Sequence, residues 1–259
     1  MSQTIYLIRH TTPAVEKGIC YGQSDLDVAD DFLSEASIIL QCLKKDTGGN
    51  LGEDKIERTG LIGQVYSSPL QRCRKLAAHL FPDSAISEAG ELKEIHCGLW
   101  EMRPWDHIPR EETDPWMKDF VNVRIPGGES YLDLYDRVIP WFSGIVEKAG
   151  IATNAETTGI AETAPIAIFT HGGVIRSILS HITGTPLIAS FKVFSLHYGC
   201  IIRITRLTGD PGDAGTPEYP RTLRTSGIFK HGFLSNIQPA EKEQHKPGTG
   251  STFGESAQL

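Results

Sequence analysis

Four short apolar runs constrain this chain most: Thr4–Ile8 (TIYLI), Gln64–Ser67 (QVYS), Pro165–Thr170 (PIAIFT) and Gly199–Thr205 (GCIIRIT). Unbroken hydrophobicity over so few residues suits a parallel strand covered by helices on both faces. Segments of helical character stand between them. Phe32–Lys44 has amphipathic spacing. Pro69–Leu80 places Ser68 as N-cap and Pro69 at the first helical position. Ser130–Lys148 opens with Ser130 and carries Asp133 three residues on, close to a capping box. Val174–Thr183 follows a glycine pair. Strands alternating with helices predict an α/β fold, a three-layer α/β/α sandwich around a mainly parallel central sheet.

Two stretches break this pattern and read as loops: Asp46–Gly60 and Gly150–Thr163. The chain changes character after Leu207. Gly and Pro make up 13 of the 52 residues from Thr208 to Leu259, and apolar positions become sparse and aperiodic. Residues 1–207 are therefore expected to form the folded domain. Residues 208–259 are expected to be a largely irregular tail, pinned locally by Ile228, Phe229, Phe233 and Leu234.

Charge and cysteine usage exclude some functions. A net charge of −7 argues against nonspecific nucleic-acid binding. Five cysteines, an odd number with no CxxC pair, argue against a disulfide framework or a zinc ribbon. The N-terminal residues read as a strand rather than a signal peptide, and no apolar run approaches the length of a membrane span. The expectation is a cytoplasmic protein with no membrane or nucleic-acid partner.

Ligands of open α/β sheets bind beyond the carboxyl ends of the strands, so the residues there matter most. The first run ends in Arg9-His10. The second ends at Ser67-Ser68, with Arg72 in the first turn of the next helix. The third ends in Thr170-His171-Gly172-Gly173. A crevice lined by two Arg and two His beside a helix N-terminus suits a phosphoryl group, which needs positive charge around its oxygens. Breaking a phosphate ester also needs an acid to protonate the departing oxygen. Glu91, Glu94 and Glu101 are the nearby choices, and spacing does not decide among them.

Five motifs in order, LIRHTTP, SSPLQRCRKLA, LKEIHCGLWE, PGGES and FTHGGVIR, resemble the histidine phosphatase superfamily in its phosphoglycerate mutase-like branch, over roughly Thr4–Leu207. The resemblance implies that His10 is phosphorylated, that Arg9, Arg72 and His171 bind phosphate, and that Glu94 is the proton donor. It implies no metal and no cofactor. Gly172 and Gln23 join the expected phosphate contacts; Thr12, Gly22, Trp100 and Glu129 are expected substrate contacts. Three positions depart from the family pattern: Thr11 replaces a Gly, Pro13 a Thr and Glu16 an Asn.

The segments Cys20–Val28, Trp100–Ile108 and Asp119–Ser130 are similar to those of alpha-ribazole phosphatases, which act in cobalamin nucleotide-loop assembly. The expected partner is thus a small phosphate ester, with a homodimer left open as the assembly. A broad or sugar-phosphate phosphatase is the same-class alternative, and a noncatalytic phosphate-binding protein the remote one. An apolar wall formed by Trp100, Met102, Trp105 and the segment Trp116–Arg124 stands equal to simple packing of those side chains. An α/β-hydrolase esterase is disfavoured by the absence of a GxSxG elbow.

Overall fold

The computed structural model describes residues 2–47, 62–152, 164–207, 223–230 and 233–235. Seven strands are present among them: β1 (Ser2–Arg9), β2 (Gln64–Ser67), β3 (Ile86–Glu88), β4 (Ile166–Thr170), β5 (Ile201–Leu207), β6 (Leu223–Lys230) and β7 (Phe233–Ser235). They form one sheet in the order β3-β2-β4-β1-β5-β6-β7. The half β3-β2-β4-β1 is wholly parallel, and β5, β6 and β7 extend it antiparallel. The helices are α1 (Phe32–Thr47), α2 (Gln71–Leu80), α3 (Arg110–Lys118), α4 (Tyr131–Ala152), α5 (Gly172–Thr183) and the short α6 (Ser190–Val193).

Alternation along β1 explains the three layers. Ile5 and Leu7 face one side of the sheet and pack with Leu134, Val138 and Phe142 of α4 and Ile175 and Ile178 of α5. Tyr6 and Ile8 face the other side and pack with Ile39 and Leu43 of α1 and Leu76 and Leu80 of α2. Successive strand residues point to opposite faces, so a continuous apolar run requires helices on both. The fold is the expected α/β/α sandwich.

Several local expectations are corrected. Gly199–Thr205 is not a parallel strand: β5 starts at Ile201 and runs antiparallel to β1. A short antiparallel partner carries the same unbroken apolar run when helices cover both its faces, so composition does not reveal direction. The second helix starts at Gln71, with Leu70 rather than Ser68 at its N-cap. The Ser68 hydroxyl is paired with His171 instead, and Asp25 receives the Gln71 N–H at 2.6 Å. The fourth predicted helix begins earlier, at Gly172, and the third ends later, at Ala152. Ser130 is the expected cap: its N–H and hydroxyl donate to Asp133, whose own N–H donates back to Ser130 Oγ at 3.2 Å.

The tail is not irregular throughout. Strands β6 and β7 lie inside it and continue the sheet through β5, at the hydrophobic positions Ile228, Phe229, Phe233 and Leu234. The rest of the tail lies outside the described residues, as do 48–60 and 153–163 of the two predicted loops. Asp46 and Thr47 end α1 rather than opening a loop. Asp46 accepts the Tyr6 hydroxyl at 2.6 Å and pairs with Arg203 at 3.1 Å. No helix among the described residues is long and apolar enough to cross a membrane.

Leu76 is fully buried and Leu33 is 65% exposed. Leu76→Ala is expected to lower unfolding stability by about 3 kcal/mol and Leu33→Ala by less than about 0.5, read from denaturant midpoints. Equal effects would contradict the packing described.

Candidate active site

Register sets the site. Arg9 lies opposite Thr170, and Ser67 opposite Phe169, so β1, β4 and β2 end level. The next residues, His10, His171 and Ser68, emerge side by side. Backbone bonds hold this alignment: His10 N–H to the Thr170 carbonyl at 3.0 Å, and Ser68 N–H to the Phe169 carbonyl at 2.9 Å.

His10 is 2% exposed. Its Nδ1 lies 2.6 Å from the Thr11 carbonyl, which can only accept, so Nδ1 carries the hydrogen. Nε2 is left with its lone pair and receives the Arg72 Nε–H at 3.3 Å. Burial, then the Arg72 and Arg9 guanidiniums, hold the His10 pKa well below the usual imidazole value. His171 is held low by burial first, then by Arg72, His10, Arg9 and Arg137. Its Nε2 lies 2.8 Å from Ser68 Oγ, and its ring centre is 5.1 Å from that of His10. Both imidazoles are neutral near pH 7. Cys73 Sγ approaches His171 Nε2 at 3.5 Å, but burial pushes its thiol up to about 12.

Both guanidiniums are buried. Arg9 donates to the Leu196 carbonyl at 2.8 Å and stacks on the Tyr198 ring at 4.3 Å. Arg72 donates to the carbonyls of Gly22 (2.7 Å) and Ser24 (2.8 Å), with the Tyr21 ring 5.5 Å away. The Tyr21 and Tyr198 hydroxyls are hydrogen-bonded at 2.5 Å, so two loops meet over the arginines. Tyr198 also neighbours the His10 ring at 5.4 Å.

The structure separates the three acids. Glu91 is exposed. Glu101 accepts the N–H groups of Gly22, Gln23, Ser24 and Cys97 and anchors the loop that serves Arg72. Burial raises its pKa, but the Ser24 hydroxyl and these N–H groups outweigh that and hold it below the usual value. Glu94 is 2% exposed and reaches the site. Its Oε2 accepts the Gly173 N–H at 3.0 Å, at the open N-terminus of α5. A side chain at Gly173 would run into Glu94 Oε1 and Leu134, so glycine is needed for this approach. A Cβ on Gly172 would lie 3.2 Å from Arg9 Cζ and 3.1 Å from an Arg176 nitrogen.

Arg9, His10, Arg72, Glu94, His171 and Gly172 are thus brought together. Gly22 and Gln23 support the same crevice through backbone contacts; the Gln23 amide donates to the Glu94 carbonyl at 3.0 Å. Three expected substrate contacts have partners within the chain. Thr12 gives its N–H and hydroxyl to Glu35, at 2.8 and 2.6 Å. Trp100 is fully buried, donates to Glu112 at 2.7 Å and stacks edge-on with Trp105 and Trp116. Trp100 and Trp116 are thus packed inside the protein, whereas Met102 is exposed. Glu129 is ion-paired with Arg137 at 2.8 Å. Glu16 is exposed, and Thr11 is buried with its hydroxyl unpaired. Sequence reasoning missed Tyr198 and Arg137; no spacing ties either to residues more than forty positions away. Among the described residues no group of three or more His, Cys, Asp or Glu is placed to hold a metal.

The profile of the histidine phosphatase superfamily (branch 1) matches residues 5–212. A metal-independent phosphoserine phosphatase of Arabidopsis thaliana is 28% identical over 205 residues, covering 74% of this chain and 76% of that protein. A 6-phosphofructo-2-kinase/fructose-2,6-bisphosphatase of Arabidopsis thaliana is 25% identical over 126 residues, covering 48% of this chain; the chain spans only 15% of that relative. The crystal structure of the alpha-ribazole phosphatase of Shigella flexneri superposes with a TM-score of 0.63 at 19% identity, covering 94% and 100% of the two chains. At that identity the likeness is one of fold.

Two neutral buried imidazoles make stability depend on pH. Unfolding frees His10 and His171 to protonate below about 6.5, whereas the folded pair stays neutral until far lower pH. The unfolded state then binds more protons. Stability should be fully present above about pH 6.5 and fall by up to about 1.4 kcal/mol per pH unit per histidine below it. Denaturant unfolding of wild type and His10→Asn between pH 7.5 and 5.5 measures this, and the variant should show the shallower fall.

Proposed function

The chain belongs to the histidine phosphatase superfamily, branch 1, and from that premise we propose that it hydrolyses phosphate monoesters through a phosphohistidine at His10. One observation carries the reading: a neutral His10 whose Nδ1–H is held by the Thr11 carbonyl and whose Nε2 lone pair meets the buried Arg72 guanidinium, with the His171 ring beside it. An imidazole so arranged is a ready nucleophile without prior deprotonation.

The proposed reaction has two steps. In the first, His10 Nε2 attacks phosphorus in line, a P–N bond forms and the P–O ester bond breaks. Arg9, Arg72 and His171 bear the charge on the phosphoryl oxygens, and Glu94, the proposed general acid, supplies the proton taken up by the departing alkoxide. In the second, water attacks the phosphohistidine, Glu94 takes the water proton, the P–N bond breaks and inorganic phosphate leaves. The low dielectric of a site this buried strengthens each of these interactions.

Alpha-ribazole 5′-phosphate is the proposed substrate. The likeness of Cys20–Val28, Trp100–Ile108 and Asp119–Ser130 to alpha-ribazole phosphatases supports it, and so does a fold shared over nearly the whole chain with one such enzyme. The relative active on phosphoserine, at the higher identity of 28%, favours a second reading as a phosphatase of other small esters.

Brief incubation with substrate followed by denaturing quench should trap phosphate that is labile to acid and stable to alkali. No label in wild type, or full label in His10→Ala, would overturn the mechanism. Turnover of alpha-ribazole 5′-phosphate, phosphoserine, 3-phosphoglycerate, a sugar phosphate and p-nitrophenyl phosphate decides the substrate. A preference of about 100-fold in kcat/KM for an ester other than the ribazole, near 3 kcal/mol, would replace the narrower assignment and leave the chemistry standing.

A further inference from the structure

The acid-bearing segment Lys93–Cys97 lies between the short 3-10 turns Gly90–Leu92 and Gly98–Trp100 and has no regular secondary structure of its own. Neither a strand ladder nor a helix holds the Glu94 backbone. A single guanidinium supplies much of the support instead. Arg137, on α4, donates from Nη1 to the Glu91 carbonyl at 2.6 Å and from Nη2 to the Glu94 carbonyl at 2.9 Å. The same group binds Glu129 through Nε to Oε1 at 2.8 Å and Nη2 to Oε2 at 3.0 Å. Glu129 Oε2 in turn accepts the His96 N–H at 2.9 Å.

Backbone groups of residues 91, 94 and 96 are therefore gripped by one ion pair. The Gln23 amide meets the same Glu94 carbonyl. The carboxylate itself is held by the Gly173 and Ile95 N–H groups.

We propose that Arg137, oriented by Glu129, is the positioning residue of the general acid. It fixes the Glu94 backbone so that the carboxyl reaches the departing ester oxygen. The proposal rests on the reading of Glu94 as the acid. The chemistry of arginine suits this role, because its planar fork serves a carboxylate and two carbonyls at once, which an ammonium on a flexible stem does not. None of these hydrogen bonds joins Arg137 or Glu129 to the phosphoryl crevice; the Arg137 charge also bears on His171, an effect common to both kinds of ester, so a loss confined to esters that need an acid reads the path through Glu94.

The test uses two esters that differ in their need for an acid. p-Nitrophenolate leaves without a proton, whereas the alkoxide of glycerol phosphate needs one. The ratio of kcat/KM, which covers the steps through leaving-group departure, isolates that need. Glu94→Gln is the reference and should lose about 10²–10⁴-fold on the alkyl ester and far less on p-nitrophenyl phosphate. Arg137→Met should lose about 10–100-fold on the alkyl ester and less than about 3-fold on p-nitrophenyl phosphate. Arg137→Lys and Glu129→Gln should fall between, and Arg137→Met should add little in the Glu94→Gln background.

Equal losses on both esters in Arg137→Met, with Glu94→Gln still selective, overturn the positioning role and leave the acid assignment intact. Equal losses in Glu94→Gln itself overturn the acid assignment, and the proposal falls with it. If Arg137→Met does not fold, Arg137→Lys and Glu129→Gln carry the test. A wild-type ester ratio in both then overturns the proposal.

Discussion

Burying two guanidiniums beside two imidazoles is the constraint on which this site depends. Arg9 and Arg72 are almost without solvent contact. A buried cation must replace its lost water with fixed acceptors, or its desolvation goes uncompensated. Here the acceptors are main-chain carbonyls: Leu196 for Arg9, and Gly22 and Ser24 for Arg72. Those carbonyls belong to loops, so the arginines determine where two loops lie. Glu101 completes the arrangement by holding the 22–24 loop through its N–H groups, and the Tyr21–Tyr198 bond joins the loops across the top.

The same burial sorts the titratable groups. Removed from water and set beside two permanent cations, His10 and His171 stay neutral. Neutrality leaves one nitrogen of His10 basic, and the Thr11 carbonyl decides which one. The open N-terminus of α5 then receives Glu94, whose carboxylate caps it from a distant segment. Glycine at 173 is what lets that carboxylate approach. Charge, tautomer and helix end are parts of one arrangement, and Arg137 with Glu129 keeps the acid segment in place beside it.

Much of this was legible in the residues. The paired apolar runs on the first strand predicted helices on both faces, and the two core clusters sit there. The strand-end residues Arg9, His10 and His171, with Arg72 just beyond, predicted a crevice for an anion, because level parallel strands bring their carboxyl ends together. Other features left no local trace. The direction in which β5 runs against β1 is not written in its composition. Nothing local in the sequence of Trp100 or Glu129 shows what either touches. Their actual partners, Glu112 and Arg137, are found only once the chain is folded. Ser68 looked like a helix cap, but His171, more than a hundred positions away, claims its hydroxyl.

The sequence by itself determined the layers, the identity of the cationic groups and their place at the strand ends. These follow from hydrophobic periodicity and from residues adjacent in the chain. Only the tertiary structure decided which of three acids lies in the crevice and which ring nitrogen of His10 carries the hydrogen. It alone decided that Tyr21 meets Tyr198, and that Arg137 braces the acid segment. Each of those outcomes is a contact between residues distant in sequence or a hydrogen-bond geometry, and neither has a periodicity to read.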